Sequence, residues 1–505
     1  MKNIFYILFL HSILNSQIIN SYKFDEPQNT HFSNSITDII VKNDSIILGT
    51  GKGLSISPNK GINWNNYFNT KEFGYEDISS INIFKNKIYV ATAHSEQKDN
   101  SYLPVGSGIK ISKDAGSTWV LIDQPIDKNN IDTIIYGKNK IRSIGVTTKV
   151  YNLCYDISAN DSAIFIATFA GMLRKSIDDG KNWTKVVLPP DNLNSISPND
   201  SLKFDLSPTN GTLGLVGNLN HRVFSVLVDK DGIIWVGTAN GINKSVDGGV
   251  SWKKFNYSNQ IESISGNFIV SIYAQYFKNQ KIIWAATINA ESQNETRGIS
   301  FSFDDGKTWK RTLLGEFAHN FGSKDSIIYV ATDNGIFRSN DFGSSWINSN
   351  NIFDNNSKYF YSTKKFYAVA SQNNKIWAGG NDGLVSTYDS TNHIFGKTWN
   401  IYRATNFDIS KTSFAYPNPF SPDDEVVRIK YNLENNSNVS LRIFDFGMNI
   451  VKKVVQNYPR SKLIVNEETW DGRDENGKYV ANGVYFYELK INNSKSDWGK
   501  ILVIQ

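Results

Sequence analysis

The chain holds one cysteine in 505 residues, so no internal disulfide is possible and the fold must rest on its core. That residue, Cys154, lies in the alternating stretch KVYNLCYDIS, which predicts a buried, inert thiol. Beyond the N-terminus there is no run of 18 or more apolar residues, which excludes an ordinary spanning helix in the body of the chain. Neither sign of charge dominates: 53 Lys and Arg face 48 Asp and Glu, a net +5. With no Lys/Arg block to track phosphates, nucleic acid is not an expected partner. The histidines at 11, 31, 94, 221, 319 and 393 show no i, i+4 or other short metal-binding interval. Gly-x-Ser-x-Gly elbows and Gly-rich phosphate loops are also missing. No catalytic residue, cofactor or metal is therefore expected.

The N-terminus is different. In MKNIFYILFLHSILNS, Lys2 precedes an apolar run from Ile4 to Leu10 that resumes at Ile13, the layout of a signal peptide over residues 1–21. Cleavage near Ser16 or Ser21 and an exported protein are the expectation. Aromatics at 13% and charged residues at 20%, with abundant Gly, Asn and Thr, favour an all-β chain.

One short pattern recurs, Ser-x-Asp-x-Gly-x-x-Trp. Its clean copies are Ser112, Asp114, Gly116 and Trp119; Ser176, Asp178, Gly180 and Trp183; Ser245, Asp247, Gly249 and Trp252; Ser302, Asp304, Gly306 and Trp309; and Ser339, Asp341, Gly343 and Trp346. A sixth copy, Ser57 to Trp64, carries Asn59 in place of the aspartate, and a seventh is stretched through Ser386, Asp389, Gly396 and Trp399. Such repetition signals a repeat architecture. Two strand signals precede each copy: an apolar run ending in small residues, such as IILGT (46–50) or IWVGT (234–238), and after a glycine a second run leading into the serine. A further run lies before them, joined by a tight turn, and a short one comes after the tryptophan. The unit is four antiparallel strands over about 55 residues, and seven units occupy residues 22–408. One unit exposes both faces, so neighbours must stack around an axis, which predicts a seven-bladed β-propeller. Small residues suit its crowded inner zone.

The motif resembles the Asp-box, or bacterial neuraminidase repeat, of sialidases, sortilin-type receptors, xyloglucan-cleaving enzymes and photosystem-assembly propellers. The resemblance implies a structural turn between third and fourth strands, in which Asp caps backbone N–H groups, Gly takes a positive φ and Trp packs between blades. It does not imply an activity, because the turn is common to proteins of different function.

Around Ser410 the rhythm breaks at SFAYPNPFSPDDE, which holds Pro417, Pro419 and Pro422. The C-terminal stretch, 409–505, alternates as a compact sandwich, with Leu441, Ile443 and Val484 expected to face inward. Its pieces are Tyr416-Pro417-Asn418-Pro419-Phe420, Phe444-Asp445 with Gly447, Trp470-Asp471-Gly472 through Gly477 to Gly483-Val484-Tyr485, and Lys500 before a closing apolar strand. They resemble the Ig-like domain of flagellar hook-capping proteins and, more closely, the C-terminal sorting domain of type IX secretion substrates. That implies recognition by the secretion machinery of the outer membrane.

A carboxylate repeated in every blade is expected to shape a turn, not to catalyse, since an active site needs one constellation. The arginine cluster of sialidases is lacking. Asp471–Gly477 lacks the alternating oxygens and distant Glu of a calcium loop and reads as a hairpin turn. In an antiparallel blade the Asp-box turn and the first-to-second turn share one face. The long connections at 95–105, 123–148, 190–219 and 289–296 fall mostly on the other, which is where binding is expected. The leading reading is an exported propeller binding an extracellular glycan or protein there. The alternative is a polysaccharide-active glycoside hydrolase, for which Glu96, Asp99, Asp191 and Glu291 are acidic candidates although no spacing selects a pair. A sensor propeller feeding a signalling protein is disfavoured by the lack of a spanning helix and a kinase.

Overall fold

The computed structural model describes residues 30–98, 101–209, 217–357, 359–404, 413–422, 425–462, 466–492, 494 and 496–504. The expected signal peptide and the boundary near residue 409 lie outside them. Among the described residues the chain is all-β, with one short 3-10 turn, Leu219–His221, as its only helix.

The tight turns expected between alternating runs build seven antiparallel sheets in chain order. Blade 1 contains Ile36–Lys42, Ser45–Thr50, Gly53–Ser57 and Asn65–Tyr67, and blade 2 begins at Asp77–Phe84. The first strands of blades 3 to 7 are Cys154–Ala159, Val223–Val228, Phe268–Phe277, Ala318–Lys324 and Phe366–Gln372. Each first strand packs on the next, and that of blade 7 returns to that of blade 1, which closes the ring. The apolar residues are shared between neighbouring blades, as with Trp235, Phe255, Ile269 and Ile283 in one cluster and Ile36, Trp64, Ala368 and Trp377 across the closure.

The small residues of the second strands have a steric reason. A Cβ at Gly379 would stand 2.4 Å from Ile36 of blade 1, at Gly237 2.7 Å from Ile269, and at Gly49 2.9 Å from Ile78. Every one of the seven first strands also shifts register at the same place, after Ile36, Ile78, Cys154, Val223, Ile269, Ala318 and Phe366. The bulge leaves one extra residue per blade at the inner edge. Just beyond it, Asp156 of blade 3 accepts from Val226 N at 2.9 Å and Ser225 Oγ at 3.0 Å of blade 4, and Asp38 of blade 1 accepts from Ile81 N of blade 2 at 3.0 Å. These carboxyls tie blade to blade.

Two of the long connections are not open loops. Ile131–Tyr136 and Asn139–Ile144 form a hairpin that pairs in parallel with Asp205–Leu206, and Ser195–Ile196 adds a fifth strand to blade 4. Tyr136, Ile141, Leu188, Ile196 and Leu206 share the core of blades 3 and 4. Tyr136 reaches the opposite face, donating to Val250 O in the Asp-box turn of blade 4 at 2.6 Å. The connections at 123–148 and 190–219 thus clad the rim, which corrects their assignment to a binding face. Alternation within IDTIIYGKNKIRSI was the signal for this hairpin.

The C-terminal residues form a sandwich. One sheet has Ser413–Tyr416, Val427–Tyr431 and Asn466–Trp470; the other has Ile450–Arg460, Ser437–Phe444, Gly483–Ile491 and Asp497–Val503. Leu441 and Ile443 lie in their shared core, as expected. Val484 does not: it is exposed while Tyr485 and Tyr487 face in, because Gly483 starts the strand one residue out of the expected phase.

Burial pushes the carboxyl of Asp156 up to about 7 and that of Asp38 up to about 6. Folded values above the unfolded one mean that their share of stability is present at low pH and is lost as pH rises through about 6 to 7. Buried His31 and His221, pushed down to about 4, act in the opposite direction below pH 6.5. The clean readout is therefore a difference: the stability of Asp156→Asn relative to the parent should rise by roughly 1 kcal/mol or more between pH 5 and pH 8 in denaturant unfolding. A flat difference would refute it.

Candidate functional site

The first strands start, and the second strands end, on the face opposite the Asp-box turns, so the bulges place side chains near that mouth of the ring. In blades 3 and 4 the extra residues are Tyr155 and Phe224, and in blade 5 Phe268, the first residue of its strand, stands beside them. Tyr155 lies 5.2 Å from Phe224 and Phe224 4.3 Å from Phe268, ring centre to ring centre. Phe169, in the second-to-third turn of blade 3, extends the row to Phe224 at 6.1 Å and to Tyr151 at 6.4 Å. The Arg222 guanidinium lies 5.2 Å from the Phe169 ring centre.

Tyr151 leads to a cavity of about 420 Å³ lined by Glu76, His94, Glu96, Ser107 and Lys149 among others. The connection into blade 2 supplies Glu76, the elongated second-to-third hairpin of blade 2 supplies His94, Glu96 and Ser107, and the connection into blade 3 supplies Lys149. His94 Nδ1 is 2.7 Å from Ser107 Oγ and 3.2 Å from Glu76 Oε2; its Nε2 is 3.2 Å from Glu96 Oε1. The Ser107 hydroxyl donates to Glu76. Buried Lys110, close to Glu76, donates to Thr92, and burial pushes its ammonium down to about 8. Tyr75 is 71% exposed and its ring meets Phe68 at 5.4 Å, which meets half-exposed Phe32 at 5.3 Å. Tyr75 and Tyr151 are thus the chain neighbours of two residues that line this polar centre, Glu76 and Val150.

Over blades 7 and 1 the same face is occupied by the chain itself. The three-stranded sheet of the sandwich turns Arg428 and Glu467 toward Asp382, in the second-to-third turn of blade 7, and Arg403, just after its last strand. Arg403 Nε is 2.8 Å from Asp382 Oδ1 and its Nη1 2.7 Å from Glu467 Oε1, while Arg428 pairs with Asp382 and lies 3.7 Å from Glu467. Burial opposes ionisation of Asp382, but Arg403 and Arg428 outweigh it and hold the carboxyl below its ordinary value. Lys52 of blade 1 pairs with Glu425 at 3.2 Å.

The Asp-box residues stand together on the far face. In each clean copy the Gly N–H donates to Ser Oγ: Gly116 to Ser112 and Gly306 to Ser302 at 2.8 Å, Gly180 to Ser176 and Gly249 to Ser245 at 2.9 Å, Gly343 to Ser339 at 2.8 Å. Asp114, Asp178, Asp247, Asp304 and Asp341 each accept the N–H four residues on, at 2.8 to 2.9 Å. The five glycines have φ between 83° and 98°. Asn59 imitates the aspartate, accepting from Asn63 N at 2.8 Å. In the stretched copy Asp389 instead takes Arg338 and Tyr329 of blade 6. Trp119 packs on Tyr67, Trp309 on Phe255 and Trp346 on Trp284 of the preceding blades, and Trp183 and Trp252 join the cores they share with blades 2 and 3.

The acidic candidates separate. Glu96 joins the cavity, Asp99 lies outside the described residues, and Glu291 is exposed in blade 5. Asp191 caps backbone, accepting from Leu219 N and Asn220 N at 2.8 Å each. The C-terminal motif residues gather at one end of the sandwich: Asn418, between Pro417 and Pro419, accepts from Leu502 N and donates to Lys500 O at 2.8 Å. Trp470 is buried against Phe420; Asp471 accepts from Arg473 N; Gly472, Gly477 and Gly483 have positive φ. Glu76, Ser107, Asp382, Arg403, Arg428 and Glu467 were not singled out by the sequence, where no short spacing links them. Among the described residues no group of His, Cys, Asp and Glu could hold a metal ion, and no helix is long and apolar enough to cross a membrane.

The family described as "Two component regulator propeller" matches residues 217–240, within blade 4. No curated protein matches the chain. Similar solved structures include YCF48 from Cyanidioschyzon merolae, 15% identical over 72% of this chain and 96% of that one, TM-score 0.41. PorZ, described as a surface component of the type-IX secretion system of Porphyromonas gingivalis, is 14% identical over 93% of this chain and 75% of that one, TM-score 0.30. An ancestral GH74 enzyme is 14% identical over 92% and 71%, TM-score 0.31. These similarities carry no ligand or activity to this chain.

The Asp-box turn yields a paired test. A Cβ at Gly180, φ 84°, would stand 2.3 Å from Ile122 of blade 2, whereas Gly232, φ 79°, has nothing within 4 Å. Gly232→Ala should cost about 1 kcal/mol and Gly180→Ala more, because the Ile122 side chain must also move, read by denaturant unfolding. Equal costs would show that packing against the preceding blade contributes nothing.

Proposed function

We propose that this protein is an exported, surface-associated propeller that binds a glycan on the uncovered part of the face opposite its Asp-box turns, with the sandwich addressing it to the type IX secretion machinery. The observation that carries the ligand reading is the cavity of Glu76, His94, Glu96, Ser107 and Lys149, with the exposed ring of Tyr75 next to Glu76 in the chain and the half-buried ring of Tyr151 next to Val150. Sugars offer hydroxyl edges and apolar C–H faces. Carboxylates and a lysine suit the former, and ring faces such as that of Tyr75 suit the latter. The surface and secretion parts rest on the N-terminal apolar run and on the Pro417, Trp470, Gly483 and Lys500 motifs.

The hydrolase reading is weaker. Glycosidases place two carboxyls across an open gap that receives the scissile bond. Glu76 and Glu96 do lie on either side of a gap, but the His94 ring fills it and contacts both.

Screening the mature protein on a glycan array should give a saturable hit that Tyr75→Ala weakens about 10-fold with no change in unfolding midpoint. Release of new reducing ends would establish an enzyme, and binding to peptides but to no glycan would refute the ligand class.

A further inference from the structure

The ring has a seam. Blade 1 takes all four strands from residues 36–67 and blade 7 all four from 366–402, so neither blade shares a strand with the other end of the propeller. What joins them is packing of Phe366–Gln372 on Ile36–Lys42, helped by hydrogen bonds such as Gly383 N to Asn34 O at 2.7 Å. The sandwich is seated across this seam, touching blade 1 through Glu425 and Lys52 and blade 7 through Arg428, Glu467, Asp382 and Arg403.

The seat is built for this occupant. Two carboxylates and two guanidiniums alternate, one of each from either side, and each acid contacts both arginines. The charges sum to zero with Arg428 and Asp382 wholly buried and Arg403 1% exposed. Further hydrogen bonds surround it: Ser362 donates through N and Oγ to Asp382, Arg403 donates to Phe360 O, and Tyr416 donates to Glu467 at 2.8 Å, while Arg428 Nε meets Glu467 only as an ion pair. Lys430 donates to Tyr359 at 2.8 Å. A matched, solvent-excluded centre inside a ring of further contacts is the pattern of a binding hot spot. Removing one member strands a buried charge.

We infer that the sandwich is a clasp held by this network rather than by the chain connection, so that cutting the backbone between residues 405 and 412 leaves it seated over the seam. Proteolysis there would neither release the sandwich nor open the ring. This stands apart from the glycan reading and does not depend on it.

The test is a site-specific protease sequence inserted within 405–412 of the full chain, with complete cleavage shown on a denaturing gel. The two pieces should elute from gel filtration as one species of uncut size at about 1 μM, in high salt as well as low, because buried pairs are little screened. The cut protein should unfold at the midpoint of the uncut one. Glu467→Ala should weaken association of the pieces on the order of 100-fold or more, and the milder Lys430→Ala should weaken it less. Wild-type pieces that separate, folded or not, overturn the inference, as does a Glu467→Ala variant whose pieces hold together as tightly as the parent's.

Discussion

A blade with apolar residues on both faces cannot stand in water alone, and that constraint organises the rest of this protein. Each sheet must be covered by two neighbours, so the first strands crowd the axis and the second strands carry glycine or alanine where the next blade approaches. Asp38 and Asp156 then work in the tightest zone, bonding backbone of one blade to the next, and burial there opposes their ionisation. On the Asp-box face the same demand sets each tryptophan against the blade before it. Closure is the one place where the chain offers no covalent help, and it is there that the sandwich sits.

The two faces divide the labour. The Asp-box face is consumed by self-bonded turns, with carboxyls such as those of Asp178 and Asp341 held down at about 2 by donors from Asn182 and Ser345. The opposite face is shared. Blades 7 and 1 lie under the sandwich, while blades 2 to 5 keep the Glu76–His94–Glu96 cavity and the aromatic mouth. The hairpin that carries His94 and Ser107 is the longest second-to-third connection, and it rises on the first blade not clasped.

The repeated turn was readable from the sequence because Ser, Asp, Gly and Trp each answer a local need within eight residues. The strand runs around it were readable for the same reason. Contacts between distant segments were not. Asp382 and Arg428 look like ordinary surface residues in GGNDGL and VVRIKY, and only the docking of two bodies buries them. His94 seemed isolated because its partners come from a connection 18 residues earlier and a strand 13 residues later. The connections at 123–148 and 190–219 looked like loops because length was weighed above their alternation, which pairs them on the rim. Val484 shows how a one-residue phase error turns a side chain from core to solvent.

The central claim is that propeller and sandwich form one body, with the sandwich fixed over the closure between blades 7 and 1. Small-angle X-ray scattering of the intact mature protein addresses it most directly. The expected result is a single compact particle whose curve fits the docked arrangement and whose radius of gyration does not change between low and high salt. A larger radius, with a curve that requires the sandwich to sample many positions about the propeller, would contradict it.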